Sequence, residues 1–179
     1  MLSLFINKLY SRVRMKVYKN VISPDLIQSC VDELKSKLKI NCWTSSQQTW
    51  SDEILINVFG STLSTKVSFQ LINKLQKELE SKLPNADKVM YQFYVWQKNS
   101  GISIHSDGSY KWGATIYLNE AWHLNYGGIF LWIDHNKKLH AEMPEYNQMI
   151  LNDDSYDHMV TPIGIDNPID RYTIQIWGS

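Results

Sequence analysis

Apolar residues recur at helical spacing twice in the first half of the chain and alternate in short runs through the second. Ser23-Pro24-Asp25 has the make-up of a helix start: a capping hydroxyl, proline at the first position and an acid in the first turn. Leu26, Ile27, Cys30, Val31, Leu34 and Leu38 then mark one face, which predicts a helix over 24–39. A second helix is predicted over Lys66 to Leu83, with Phe69, Ile72, Leu75, Leu79 and Leu83 on one side and Pro84 as its stop. Between them, residues 41–65 mix Ser, Thr, Gln and Asn with Trp43, Trp50 and Phe59, and read as a long irregular segment.

From Lys88 onward, short runs of β-branched and aromatic residues alternate with turn residues. Strands are predicted near 88–97, 102–106, 112–119, 128–133, 138–143, 146–151, 157–162 and 171–177. The breaks fall at Asn99-Ser100-Gly101, Asp107-Gly108, Gly127-Gly128, Asp134-His135-Asn136, Asp153-Asp154 and Gly164 through Pro168. Eight strands after two helices predict a mainly β chain, a sandwich or barrel backed by N-terminal helices. With 179 residues, no repeat and no linker, it is read as one domain.

The N-terminus differs from the rest. Its first 22 residues contain no acid and carry Lys8, Arg12, Arg14, Lys16 and Lys19. Leu2, Phe5, Ile6, Leu9 and Val13 sit at near-helical spacing. An amphipathic lead-in helix, a mitochondrial presequence and a membrane-surface helix all fit this pattern. So does a natural start at Met15, where Met15 through Ile22 makes a good first strand.

Acids and bases balance at 18 each, which lacks the basic surplus of a general nucleic-acid binder. No apolar run reaches the ~18 residues of a spanning helix. A cytoplasmic location is the default expectation, with the mitochondrion as the alternative. Cys30 and Cys42 make neither a disulfide framework nor a cysteine-rich zinc site. Seven Trp and ten Tyr favour a β-rich core or an aromatic-lined cleft. Only three of the 18 basic residues are Arg, and Arg171 is the single Arg after residue 14.

Phosphate-loop, dinucleotide-binding and nucleophile-elbow motifs are absent. The dense polar constellation is Ile104-His105-Ser106-Asp107-Gly108. Residues i and i+2 of a strand face one side, so His105 and Asp107 can point into one cavity. His158 follows 53 residues later and Arg171 another 13 after that. Two His and one carboxylate form a facial triad that leaves three positions of an iron(II) ion open. A chelating 2-oxo acid and dioxygen would fill them. The far carboxylate of such an acid needs a bidentate partner, which Arg supplies and Lys does not.

Residues 88–179 resemble the double-stranded β-helix (jelly-roll) core of the iron(II)/2-oxoglutarate dioxygenases, in the prolyl 4-hydroxylase-like branch. Tyr117-Leu118-Asn119, Trp122 and Gly127-Gly128 resemble its YLN…W…GG stretch. Met143-Pro144 resembles the proline before a jelly-roll strand. His158 through Pro162 resembles HEVxP, and Arg171 through Trp177 resembles RYxxxxW. Residues 1–87 resemble the family only through leading helices.

The resemblance implies His105, Asp107 and His158 as iron ligands and Arg171 as partner of the distal 2-oxoglutarate carboxylate. It implies Tyr117 as a second hydrogen bond to that carboxylate and Tyr94 as a wall of the co-substrate pocket. The spacing from Tyr94 to His105 is slightly longer than in the family, and Ile102 stands where the family often has Tyr. Iron(II), 2-oxoglutarate and dioxygen are the implied cofactors, with ascorbate as an optional reductant. No catalytic side chain is implied beyond the metal centre. The implied reaction is hydroxylation of a prolyl residue in a peptide or protein, releasing succinate and carbon dioxide.

A carboxylate at Asp107 argues against halogenating relatives, which keep a small residue there. Nucleic-acid demethylases of the superfamily carry a second Arg where this chain has Trp177. A free amino acid or other small metabolite is the alternative substrate, and a non-catalytic jelly-roll binding protein the alternative class. Trp96 is a candidate substrate contact near the predicted mouth of the site. Trp112, Trp122, Trp132 and Trp177 are read as packing residues, His123, His135 and His140 as surface residues, and Asp157 as a candidate partner orienting His158. Tyr91 is expected in the core and residues 41–65 where substrate is chosen.

Overall fold

A computed structural model describes residues 15–56, 58–153 and 156–179. The expected N-terminal lead-in over 1–14 lies outside them. All eight predicted strands are present, as β5 (Val89–Trp96), β6 (Gly101–His105), β7 (Trp112–Tyr117), β8 (Phe130–Ile133), β9 (Leu139–Glu142), β10 (Met149–Asn152), β11 (His158–Val160) and β12 (Arg171–Gly178). Four more precede them: β1 (Lys16–Tyr18), β2 (Thr44–Ser45), β3 (Val58–Phe59) and β4 (Thr62–Lys66). A seven-stranded sheet runs β1-β10-β7-β12-β5-β4-β2 and faces a five-stranded sheet, β3-β6-β11-β8-β9. The pairings are antiparallel.

The period of two along β5 shows how the layers divide. Tyr91 and Phe93 point one way, into a core shared with the helices, while Tyr94 and Trp96 point the other way, between the sheets. The helices are α1 (Pro24–Lys37) and α4 (Phe69–Leu79), with the single turns α2 (Ser46–Thr49) and α3 (Asp52–Leu55) between them. Leu26, Ile27, Cys30, Val31 and Leu34 of α1 and Leu71, Leu75 and Leu79 of α4 bury against the larger sheet. Burial pushes the Cys30 thiol up to about 12, so this cysteine behaves as a small core residue. Among the described residues no helix is long and apolar enough to cross a membrane.

Four expectations need correction. Residues 41–65 are not wholly irregular: β4 completes a ladder with β5 from Thr62 opposite Trp96 to Lys66 opposite Gln92. The second helix therefore starts at Phe69, after its cap Ser68, and not at Lys66. Phe69 is 73% exposed and Leu38, just past the end of α1, is 41% exposed, so neither belongs to the buried stripe. Ser23 does not cap its own helix with its side chain. Its N–H and hydroxyl instead donate to the Glu78 carboxylate of α4, at 2.6 and 2.7 Å. Reciprocally, the N–H and hydroxyl of Ser68 donate to the Glu33 carboxylate of α1, at 2.8 and 2.6 Å. Each helix thus satisfies the start of the other, which locks the pair that backs the larger sheet.

Candidate metal centre

His105 ends β6, His158 opens β11, and the two are paired residues across the smaller sheet. Val160 pairs with Ile102, so three steps along β6 face two along β11. That one extra residue is a β-bulge, and it turns both Ile102 and His105 toward the same cavity despite their odd separation. Asp107 follows in the turn after β6. Its Oδ1 lies 3.8 Å from His105 Nε2 and its Oδ2 lies 3.8 Å from His158 Nε2. One donor atom from each of the three lies within 4.8 Å of the others, close enough to share one ion. No other group of this kind occurs among the described residues.

Two features prepare these side chains for a metal. His105 Nδ1 is 2.9 Å from the Ser103 carbonyl and His158 Nδ1 is 2.8 Å from the Tyr156 carbonyl. A proton on each Nδ1 then leaves each Nε2 lone pair facing Asp107. Burial, seconded by the neighbouring His158, holds the His105 pKa below its ordinary value, which favours the neutral imidazole a metal requires. Gly113 of β7 makes room for the carboxylate: a Cβ there would stand 2.9 Å from Asp107 Oδ2.

A cavity of about 800 Å³ runs from this triad to Arg171. Arg171 is 1% exposed and stands at the start of β12. Its guanidinium lies over the Trp96 ring at 4.9 Å and the Tyr117 ring at 5.3 Å, and one arm donates to the Gly128 carbonyl at 3.0 Å. The sequence motifs converge on this one side chain. Asn119 accepts from the Tyr172 N–H at 2.7 Å and donates to the Asp170 carbonyl at 3.0 Å, gripping the backbone on both sides of Arg171. Trp122 donates to the Gly127 carbonyl at 2.9 Å. Gly127 and Gly128 both have left-handed φ, 68° and 64°, a conformation glycine adopts without strain. A Cβ on Gly127 would sit 2.0 Å from the Pro162 carbonyl oxygen, and one on Gly128 would press on Arg171 Cδ at 3.3 Å.

Nε of Arg171, the hydroxyl of Tyr117 and Nε1 of Trp96 are buried and have no hydrogen-bond partner. Burial pushes Tyr117 up to about 12, so it keeps its proton and can only donate to an anion. Burial also lowers the Arg171 pKa from its ordinary value, the mark of a cation awaiting a counter-charge. Among the described residues, Arg171 makes no ion pair. An orphaned guanidinium in the wall of a cavity that also holds a His-Asp-His triad, with an unpartnered phenol whose ring lies 5.3 Å from it, fits a metal-chelating acid with a distal carboxylate.

Other residues stand elsewhere than expected. Trp96 is 4% exposed and lies beneath Arg171 rather than at the mouth. Trp177, read as packing, lines the cavity. It stands 5.8 Å from Tyr110 and 5.7 Å from Tyr94, which in turn stacks on Trp50 at 6.0 Å. Tyr94 does line the cavity, but its hydroxyl accepts from Trp50 Nε1 at 3.1 Å. Asp157 is exposed and does not orient His158; the Tyr156 carbonyl does. His140 pairs with Asp134 at 2.9 Å and stacks on Trp132, outside the triad. Tyr91 is 4% exposed in the helix-side core. Sequence reasoning missed Gly113, Trp50 and Asn152, none of which belongs to a motif.

No protein-family model matches the chain, and no curated protein matches it in sequence. Solved structures do share its fold. A prolyl-4-hydroxylase of Pseudomonas putida is similar with a TM-score of 0.71 at 15% identity, over 99% of this chain and 98% of that one. A prolyl hydroxylase from Trichoplax adhaerens, solved with a hypoxia-inducible-factor peptide fragment, gives 0.75 at 15% identity, over 99% and 88%. HygX of Streptomyces hygroscopicus, solved with nickel, 2-oxoglutarate and hygromycin B, gives 0.65 at 11% identity, over 96% and 85%. The expected architecture, a jelly-roll core backed by N-terminal helices, is therefore present.

Proposed function

We propose that the chain is an iron(II)- and 2-oxoglutarate-dependent hydroxylase acting on a prolyl residue in a peptide. The observation that carries this reading is one cavity holding both His105, Asp107 and His158 and an unpaired, buried Arg171. With 2-oxoglutarate and dioxygen, such a metal centre supplies oxidative decarboxylation to succinate and carbon dioxide coupled to C–H hydroxylation.

The residues of the chain bind, orient and exclude water. His105, Asp107 and His158 would hold the ion. Arg171 grips the distal carboxylate of 2-oxoglutarate with its fork, and the Tyr117 hydroxyl donates to the same group. Ile102, Phe130, Ile150 and Val160 supply apolar wall to the cavity. A carboxylate at Asp107, where halogenating relatives keep a small residue, favours hydroxylation over halogenation.

The substrate side is aromatic and uncharged. Apart from the triad, Arg171 and tyrosines, none of the described residues lining the cavity is ionisable. A free amino acid would find no counter-charge there for its ammonium or carboxylate, whereas a peptide-embedded prolyl ring needs none. The Pseudomonas and Trichoplax prolyl hydroxylases support this choice. The hygromycin-bound HygX supports a second reading, hydroxylation of a non-peptide metabolite. Succinate release measured with proline-containing peptides, free amino acids and polyol metabolites tests both. Turnover only with peptides supports the first; no substrate-dependent succinate above background removes both.

A further inference from the structure

We infer that Asn152 is a positioning residue for the metal centre, a carboxamide clamp that holds His158 in the tautomer and orientation required to bind an ion. This rests on the metal reading above and concerns a residue outside every motif quoted for it. Asn152 is the last residue of β10, is 5% exposed and lines the cavity. Its Oδ1 accepts from the Tyr156 N–H at 3.0 Å, and its Nδ2 donates to the Tyr156 carbonyl at 3.2 Å. Both bonds go to peptide groups of one residue, so the carboxamide cannot turn over without setting donor against donor. The clamped carbonyl is the one that lies 2.8 Å from His158 Nδ1.

Asn152 Nδ2 also lies 3.3 Å from His158 Nδ1, which admits a rival arrangement with Asn152 donating to the ring. That arrangement would set an Nδ1 lone pair against the Tyr156 carbonyl lone pair at the shorter distance. The 2.8 Å contact therefore assigns the proton to Nδ1 and frees Nε2 for a metal. The Tyr156 carbonyl then serves as a shared acceptor for two N–H groups, within the capacity of its two lone pairs.

His105 explains why His158 needs such a clamp. The acceptor for His105 Nδ1 is the Ser103 carbonyl, inside β6 itself. Tyr156 lies outside any strand, in the connection between β10 and β11. Asn152 holds its carbonyl from the opposite sheet. Its cross-strand partner is Gly113, the residue whose missing Cβ makes room for Asp107. One register pair of the larger sheet thus backs two of the three metal-binding side chains.

Cobalt(II) binding, followed by visible absorption, tests the clamp in the full chain. Asn152→Ala removes it, and Asn152→Leu keeps most of the volume while losing both hydrogen bonds. Both variants are expected to bind cobalt roughly 10- to 100-fold more weakly than the wild type. A merely structural role would lower the urea midpoint and leave the affinity of the folded protein unchanged, and that result overturns the inference. Long-range ¹H–¹⁵N spectra of the metal-free wild type give a second reading that depends on no variant. His158 is expected as the Nδ1–H tautomer, and an Nε2–H tautomer overturns the clamp even if neither variant folds. A wild type that takes up no cobalt at all is a different failure: it removes the metal reading itself.

Discussion

His105 and His158 face one another across the β6–β11 pair with ring centroids 4.3 Å apart, and Asp107 bridges the gap between their Nε2 atoms. Two imidazoles so close, one of them held neutral by burial, make a poor surface pair and a good half of a metal site. His105→Ala should therefore abolish iron(II) binding and 2-oxoglutarate turnover while unfolding stays cooperative. Metal content and succinate release, measured beside a urea melt, check this; unchanged metal content would remove His105 from the site.

Arg171→Lys keeps the charge and loses the fork. The contact to Gly128 and the second arm toward a carboxylate cannot both be kept by an ammonium. Loss of one charge-assisted hydrogen bond worth about 1.5–3 kcal/mol lowers affinity about 10- to 150-fold. Titration with 2-oxoglutarate or a non-reactive analogue should show this drop, without a matching loss of metal affinity. Equal affinity in the variant would place Arg171 outside the co-substrate site.

Gly113→Ala puts a methyl group 2.9 Å from Asp107 Oδ2. The backbone tolerates alanine there, so the protein should fold. The carboxylate must then move off its position, and metal affinity should fall by roughly tenfold or more. Calorimetric titration with manganese(II) reads this directly. A variant that binds as tightly as the wild type would show that Asp107 accommodates the methyl without leaving the metal.

Alkaline pH should destabilise the fold in a specific window. Burial pushes Tyr91, Tyr94 and Tyr117 from 10.0 up to about 12. Between those values the unfolded chain has released these protons and the folded chain still holds them, so stability is intact below pH 10 and falls as pH rises above it. Urea midpoints from pH 8 to 11 should decline mainly above 10, and the three phenols should ionise only with unfolding. A flat profile would mean that these hydroxyls reach water in the native state.

The strands were legible because each is bounded by turn residues and rich in β-branched and aromatic side chains; α1 was legible from its apolar stripe. β4 was not, because Thr62-Leu63-Ser64-Thr65-Lys66 is mostly polar and becomes a strand only through pairing with β5. Thr62 and Ser64 are buried by that pairing, which no local pattern announces. Ser68 did carry a signal, a hydroxyl three residues before Leu71, and it would have placed the start of α4 correctly. In the candidate site, motif residues could be picked out because they recur as a set. Asn152 and Gly113 could not, since their importance comes from cross-strand partnership and from an absent side chain.

The extra residue in β6 ties the centre to the length of the chain. Surface loops elsewhere can gain or lose residues with modest effect. Deleting Ser103 or Ile104 would restore an even ladder: His105 would keep its face with Ile102, then two residues away, but the carbonyl two residues before it would be that of Ile102 in place of the Ser103 carbonyl that meets its Nδ1. A single-residue deletion here therefore reaches the metal centre through the Nδ1 proton of His105, while substitution at the exposed Ile104 stays open.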